Sequence, residues 1–312
     1  MGRAQTPRTG FQPHGLKSRP PWPEIASYCG VTLRSRPALL FFILAFAITW
    51  IVWVPRAVGE AWAEEIGAIW TYGPALAAVV AAAIVGGRAE LSLLGRRLLE
   101  WRIGLRWYFV ILLGPLALAL LEAAILPIVS EVTWSESLPS PFTEPLTSTI
   151  IFLLILSVTD GVGEELGWRG FAIPHMLKGS SAVTASLVLG VLWAAWHLPL
   201  FWTEGSALEG SSIAFLFARL PATAVVYTWL LQHTKGSVLA AALFHGALSV
   251  FAPTPPPTGA DVTGSIVSVV VWWAAALTVI ALARPQRLDQ WPRTVGTSDP
   301  AQPRDEAGFR RS

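Results

Sequence analysis

Residues 38–55 read ALLFFILAFAITWIVWVP, and this stretch decides the fold class. It carries no charge, and an α-helix rises 1.5 Å per residue, so about 20 such residues cross a hydrocarbon core of about 30 Å. Strands with open edges would leave unpaired backbone groups in lipid, which makes helices the expected spanning element. Working outward, comparable runs occupy Ile66–Val85, Trp107–Val129, Leu146–Val162, Ala182–Trp202, Ile213–Leu231, Val238–Phe251 and Ser265–Ala283. The expected architecture is therefore all-α, a polytopic transmembrane helical bundle of about eight spans over residues 38–284. The seventh run is short, and several are interrupted by Pro or Gly.

Composition agrees. Of 312 residues, 53% are hydrophobic and 13% are charged, with 16 Trp and a mean hydropathy of +0.54. An ordinary soluble domain carries about 25% charged residues. These figures exclude a water-soluble globule, a disordered chain and a nucleic-acid binder. Cys29 is the single cysteine, which excludes a disulfide framework and a cysteine zinc site. Residues 1–37 contain RPPWPE, which cannot be helix interior because each Pro lacks an N–H and clashes with the preceding turn. This segment is expected to be a disordered tail rather than a cleavable signal peptide, since no short apolar core with a small-residue cleavage site follows its basic residues. Residues 285–312 are expected to form a second disordered tail.

Loop charge gives an orientation. The N-terminal tail holds Arg3, Arg8, Lys17, Arg19, Arg34 and Arg36 against Glu24, and the next loop holds Glu60, Glu64 and Glu65 against Arg56. The third connection is again basic, with Arg88, Arg96, Arg97, Arg102 and Arg106, and the fourth has only Glu131, Glu136 and Glu144. Glu204 and Glu209, Lys235 and Asp261 follow in successive loops, and the C-terminal tail is basic. Such alternation is what the positive-inside rule requires of eight spans with both termini cytoplasmic. The expected location is the plasma membrane.

Ionisable residues inside spans cost roughly 2.5–3.5 kcal/mol each at the bilayer centre, so they usually have a partner or a task. Three places stand out: Gly163-Glu164-Glu165-Leu166-Gly167-Trp168-Arg169-Gly170, Trp193-Ala194-Ala195-Trp196-His197-Leu198-Pro199, and Phe244-His245-Gly246-Ala247-Leu248-Ser249. Glu165 and Arg169 share a helical face at i,i+4 and can pair, while Glu164, about 100° around the helix, can point elsewhere and is expected to be an unpartnered carboxylate facing a cavity. The neighbouring glycines, Gly161, Gly163, Gly167 and Gly170, allow close approach of other backbones. Read alone, this motif also fits a helix end at the cytoplasmic interface. Trp193 and His197 share a face, and Pro199 is expected to bend the helix at the histidine. His245 and Ser249 share another face; alone they also fit an interhelical hydrogen bond. His197 and His245 are the two histidines deepest in apolar helices. Two imidazoles, a carboxylate and a hydroxyl can surround one water and supply a base, an orienting group and oxyanion donors.

The order EExxxR, aromatic-xxxH with a following Pro, and then HxxxN resembles the CPBP family of CAAX proteases and bacteriocin-processing enzymes, also called Abi. The resemblance covers about residues 146–251. It implies an intramembrane endopeptidase acting on a membrane-associated peptide or protein, with Glu164 activating water, His197 holding that water, and His245 with residue 249 stabilising the oxyanion. Glu165 and Arg169 correspond to supporting positions in the first motif. Glu164, His197 and His245 are also a donor set able to hold Zn²⁺ with an open fourth position, and the resemblance leaves a metal-dependent or a metal-free reaction open. Two other functions fit the sequence: a non-catalytic bacteriocin-immunity protein, and a proton-coupled transporter. No HExxH, GxSxG or GxGD motif is present.

Two positions depart from the family pattern. Trp193 stands where Phe is usual, read as a conservative change in an apolar wall. Ser249 stands where Asn is usual, which exchanges two N–H donors for one shorter O–H. For His197, about 22 Å along its helix, to meet Glu164, either the fourth helix continues past Val162 through Arg169 toward Met176, the reading that the largely apolar EELGWRGFAIPHML favours, or the fifth helix begins outside the core.

Overall fold

A computed structural model describes residues 35–67, 70–139, 142–252 and 262–283; both predicted tails lie outside these residues apart from positions 35–37. Among the described residues there are helices and no strands. We number the principal helices α1 (Pro37–Ala57), α2 (Gly73–Leu98), α3 (Leu105–Val129), α4 (Leu146–Met176), α5 (Ala182–Trp196), α6 (Ile213–His233), α7 (Val238–Phe251) and α8 (Val262–Ala283). Seven of these segments are long and apolar enough to cross a membrane, α5 by virtue of the tight turn that prolongs it to Trp202. The eighth, α7, has 14 residues, or about 21 Å. Most of α7 is buried by protein, so its shortness creates no mismatch with lipid.

Local chemistry sets the helix ends. Pro37 opens α1 and Pro74 opens α2, where a missing N–H costs nothing. Ser181 and Ser237 cap α5 and α7, accepting from the N–H groups of Thr184 (3.1 Å) and Ala240 (3.0 Å). α2 differs from expectation: the chain was read as leaving the helix at Val85, yet helix continues to Leu98. Gly87, at φ 58°, kinks it. Beyond the kink Leu93 and Leu94 are buried while Arg88 and Arg96 face out, so this charged stretch is an amphipathic helix rather than a loop.

α4 is one continuous helix from Leu146 to Met176, the favoured of the two ways for Glu164 to reach His197. It is not uniform. Two π-helical segments, Ser157–Val162 and Trp168–Ala172, bracket Gly163–Gly167. Before the first segment the helix exposes Leu146, Ile150, Ile151, Phe152, Leu154 and Ile155, as a lipid-facing surface does. After it, every residue from Gly163 to Pro174 is buried. The buried half contacts α1, α2, α6 and α7 and forms the axis of the bundle. α5 packs on α6, and α8 bridges α6 and α3.

Glycine permits the closest approaches. A Cβ on Gly161 of α4 would sit 2.5 Å from the carbonyl oxygen of Ala242 on α7, and one on Gly246 of α7 would sit 2.8 Å from the carbonyl oxygen of Leu153 on α4. The two helices thus touch backbone to backbone on either side of the site, in the small-residue packing used within membranes.

Candidate active site

The three motifs converge. Glu164, His197, His245, Ser249 and Trp193 all line one cavity of about 700 Å³, whose walls come from α1, α3, α4, α5, α6, α7 and α8. α5 ends at Trp196, and a tight turn over Leu198–Trp202 follows. Pro199 explains this, since it cannot donate to the carbonyl of Ala195. Leu200 donates to His197 O (2.9 Å) instead of continuing the α-helical ladder, and the freed carbonyl of Trp196 accepts from the indole of Trp50 on α1 (2.9 Å). His197 therefore sits at the end of its helix, where its ring can turn into the cavity.

Glu165 and Arg169 form the expected pair. Arg169 Nη1 lies 2.9 Å from both carboxylate oxygens and donates to Oε1, with both side chains fully buried. The guanidinium is stacked between two rings, 3.9 Å from the centroid of Tyr227 and 4.5 Å from that of Trp193. The pair also reaches α7: His245 Nδ1 donates to Glu165 Oε1 at 2.9 Å. Glu165 thus orients His245 across the helix interface and leaves Nε2 of that ring directed at the neighbouring carboxylate, 3.9 Å from Glu164 Oε1.

Glu164 is not the unpartnered carboxylate expected from sequence. Its Oε2 accepts two indole N–H groups, from Trp193 on α5 (2.5 Å) and from Trp168 one turn along α4 (3.2 Å). Oε1 is left for the cavity side. This corrects the reading of Trp193 as a conservative apolar change: a Phe has no N–H to give. The same residue accepts at its main-chain oxygen from His197 Nδ1 (2.8 Å), and its ring lies 6.0 Å from those of His197 and His245. Because a carbonyl only accepts, His197 carries its proton on Nδ1 and presents the Nε2 lone pair. Trp193 thereby bears on Glu164, Arg169, His197 and His245 together.

Ser249 lines the cavity, but its hydroxyl donates to the carbonyl of His245 one turn back, at 3.1 Å. The expected O–H donation to an oxyanion is not made in this rotamer. Among the described residues no three His, Cys, Asp or Glu side chains converge so as to hold a metal ion. No step below runs through a metal.

Several cavity residues were missed. Glu122 of α3, Asp160 of α4, and Arg219 and Tyr227 of α6 all line it. The first three were findable, being ionisable residues inside apolar runs, the same signal that marked Glu164. Tyr227 and Trp168 carry no such mark, since an aromatic ring in a membrane helix is ordinary.

Against known proteins, residues 146–251 match the family described as type II CAAX prenyl endopeptidase Rce1-like. CAAX prenyl protease 2 of Methanococcus maripaludis is 31% identical over 102 residues, which cover 31% of this chain and 36% of that protein. The match thus spans about a third of the length of this curated relative. It contains all three motifs and every residue that they bring to the cavity, and over residues 146–251 this chain is similar to the Rce1-like type II CAAX prenyl endopeptidases.

Proposed function

We propose that the protein is a multi-pass intramembrane endopeptidase of the CAAX-protease type, hydrolysing a peptide bond near the C-terminus of a prenylated, membrane-associated peptide or protein by glutamate-activated water. The observation that carries this reading is the division of labour at Glu164. Two indoles occupy Oε2, while Oε1 lies 3.9 Å from an imidazole nitrogen in the cavity that Glu164, His197 and His245 line together.

The steps follow from the donors and acceptors in place. A water accepted into the cavity donates one hydrogen to Glu164 Oε1 and the other to His197 Nε2, the acceptor that the Trp193 carbonyl leaves open. Glu164 takes the first proton as the water oxygen attacks the substrate carbonyl carbon. The carbonyl oxygen becomes an oxyanion, which His245 stabilises when its Nε2 bears a proton, its Nδ1–H being held by Glu165. Glu164 then returns the proton to the leaving nitrogen as the C–N bond breaks. Arg169 takes no part in proton transfer; it keeps the Glu165 carboxylate fixed beneath His245. The alternation of basic and acidic loops supports placing both termini in the cytoplasm.

The test is cleavage of an S-farnesylated CaaX peptide by the purified full chain in lipid nanodiscs. Glu164→Gln and His197→Gln are expected to lower kcat by at least a hundredfold, roughly the lower bound for losing a general base, with the protein level and monodispersity unchanged. Cleavage at the wild-type rate by both variants would reject the glutamate-activated mechanism.

A further inference from the structure

The cavity carries a second charged group that hydrolysis does not use. Arg219, half-buried on α6, and Glu122, buried on α3, both line it. A guanidinium within a membrane span is costly, and such a group ordinarily sits against a counter-ion. The other arginines of this region obey that rule: Arg169 lies 2.9 Å from Glu165, and Arg56, also on the cavity wall, lies 3.1 Å from Glu64. Arg219 does not. Among the described residues no carboxylate is within ion-pair distance of it. Glu122 is near enough for the two charges to interact, yet its Oε1 accepts from Ser268 of α8 at 3.1 Å. That hydrogen bond ties the acid to a different helix and leaves the guanidinium donors open to the cavity. Arg219 and His197 line the same cavity, so the open cation and the proposed water site share one space.

A planar fork of donors facing a sheltered hollow is complementary to a carboxylate, which it binds with two parallel hydrogen bonds. A peptide lying along this cavity has one obligatory carboxylate, at its C-terminus. We propose that Arg219 is the anchor for the substrate's terminal carboxylate, so that the enzyme selects free chain ends and places the scissile bond by its distance from that end. This deepens the proposed function and rests on it. Glu122, held by Ser268, keeps anionic groups from settling deeper toward α3 and confines the carboxylate to the guanidinium.

Three internally quenched peptides test it, each with an S-farnesylated cysteine followed by two aliphatic residues. The first ends in a free carboxylate that is its only anion, the second is its C-terminal amide, and the third is an amide whose last side chain is Asp. Wild-type protein in nanodiscs is expected to cleave the free acid with a kcat/KM roughly ten- to a hundredfold above the amide, as a charge-assisted hydrogen-bonded pair would give. The Asp amide should follow the plain amide. Arg219→Gln is expected to bring the free acid down to the amide and to leave the amide unchanged, with Arg219→Lys between. Equal cleavage of acid and amide by wild type would overturn the proposal without any variant. So would an equal loss on both peptides in Arg219→Gln, which marks a structural role, and so would efficient use of the Asp amide, which marks a side-chain subsite. Equilibrium binding of acid and amide to the Glu164→Gln protein separates this claim from the catalytic one. A preference for the acid there that vanishes in the Glu164→Gln, Arg219→Gln double variant upholds the anchor even if Glu164 proves not to be the base, and no preference there overturns it.

Discussion

Trp193→Phe is the most informative single substitution. It keeps an aromatic ring against the Arg169 guanidinium, 4.5 Å away in the native protein, and removes one N–H that lies 2.5 Å from Glu164 Oε2. A hydrogen bond to a charged group contributes about 1.5–3 kcal/mol. Trp168, at 3.2 Å, remains as a longer and weaker restraint, so the carboxylate is loosened rather than released. The lower end of the range then applies, about 1.5 kcal/mol, or roughly a tenfold fall in kcat. KM should change little, because the lost group faces the carboxylate and not the substrate. Trp168→Phe should cost less than Trp193→Phe. The double variant should cost more than the sum of the two, since neither indole is then left to orient Oε2 and the two donors share one acceptor. The assay is steady-state cleavage of the farnesylated peptide, with thermal unfolding measured in parallel to remove packing losses. A Trp193→Phe protein with native kcat, or strict additivity in the double variant, would refute the claim that the indoles fix the geometry of Glu164.

Three further outcomes are expected. Glu165→Ala strands the fully buried Arg169 guanidinium and the His245 Nδ1–H, so it should destabilise the fold by about 3–5 kcal/mol. Thermal unfolding in detergent reads this directly, and Glu164→Gln, which keeps an acceptor for the two indoles and strands no arginine, should unfold within a few degrees of wild type. Ser249→Asn supplies amide donors of longer reach at a position where the native hydroxyl is spent on the His245 carbonyl; kcat should rise about tenfold, and an unchanged kcat would remove residue 249 from oxyanion support. Protein shown by elemental analysis to be free of zinc should retain its cleavage rate, since the proposed reaction assigns every proton transfer and the oxyanion to Glu164, His197 and His245; loss of activity restored by added Zn²⁺ would refute the metal-free reaction.

The spans and the motif pairings could be read because they rest on hydropathy and on the 3.6-residue period. Glu165 and Arg169 sit four apart and meet, and Pro199 ends the helix at the histidine as its missing N–H demands. What escaped the reading depends on directions that periodicity does not carry. The two π-helical segments shift the register of α4 around Gly163–Gly167, and no residue type announces them. The indole of Trp193 was read by its bulk, but its function lies in where one N–H points. Arg88–Arg97 looked like a loop because a transmembrane scan averages over charge, whereas the helix there buries only Leu93, Leu94 and part of its Arg97 face. Glu122 and Arg219 were legible and were passed over because they lie outside the three motifs.

The change of surroundings along α4 has an evolutionary corollary. Excising one residue from Ser157–Val162 would restore ordinary α-helical winding with the turns on either side keeping their directions, because the wide turn holds about one residue more than an α-turn over the same rotation. The upstream turns are greasy on nearly every side, so lipid would solvate them almost equally well after such a change. The wide coil therefore acts as slack: the anchoring portion of this helix can drift in length and sequence while the machinery beyond it keeps its aim.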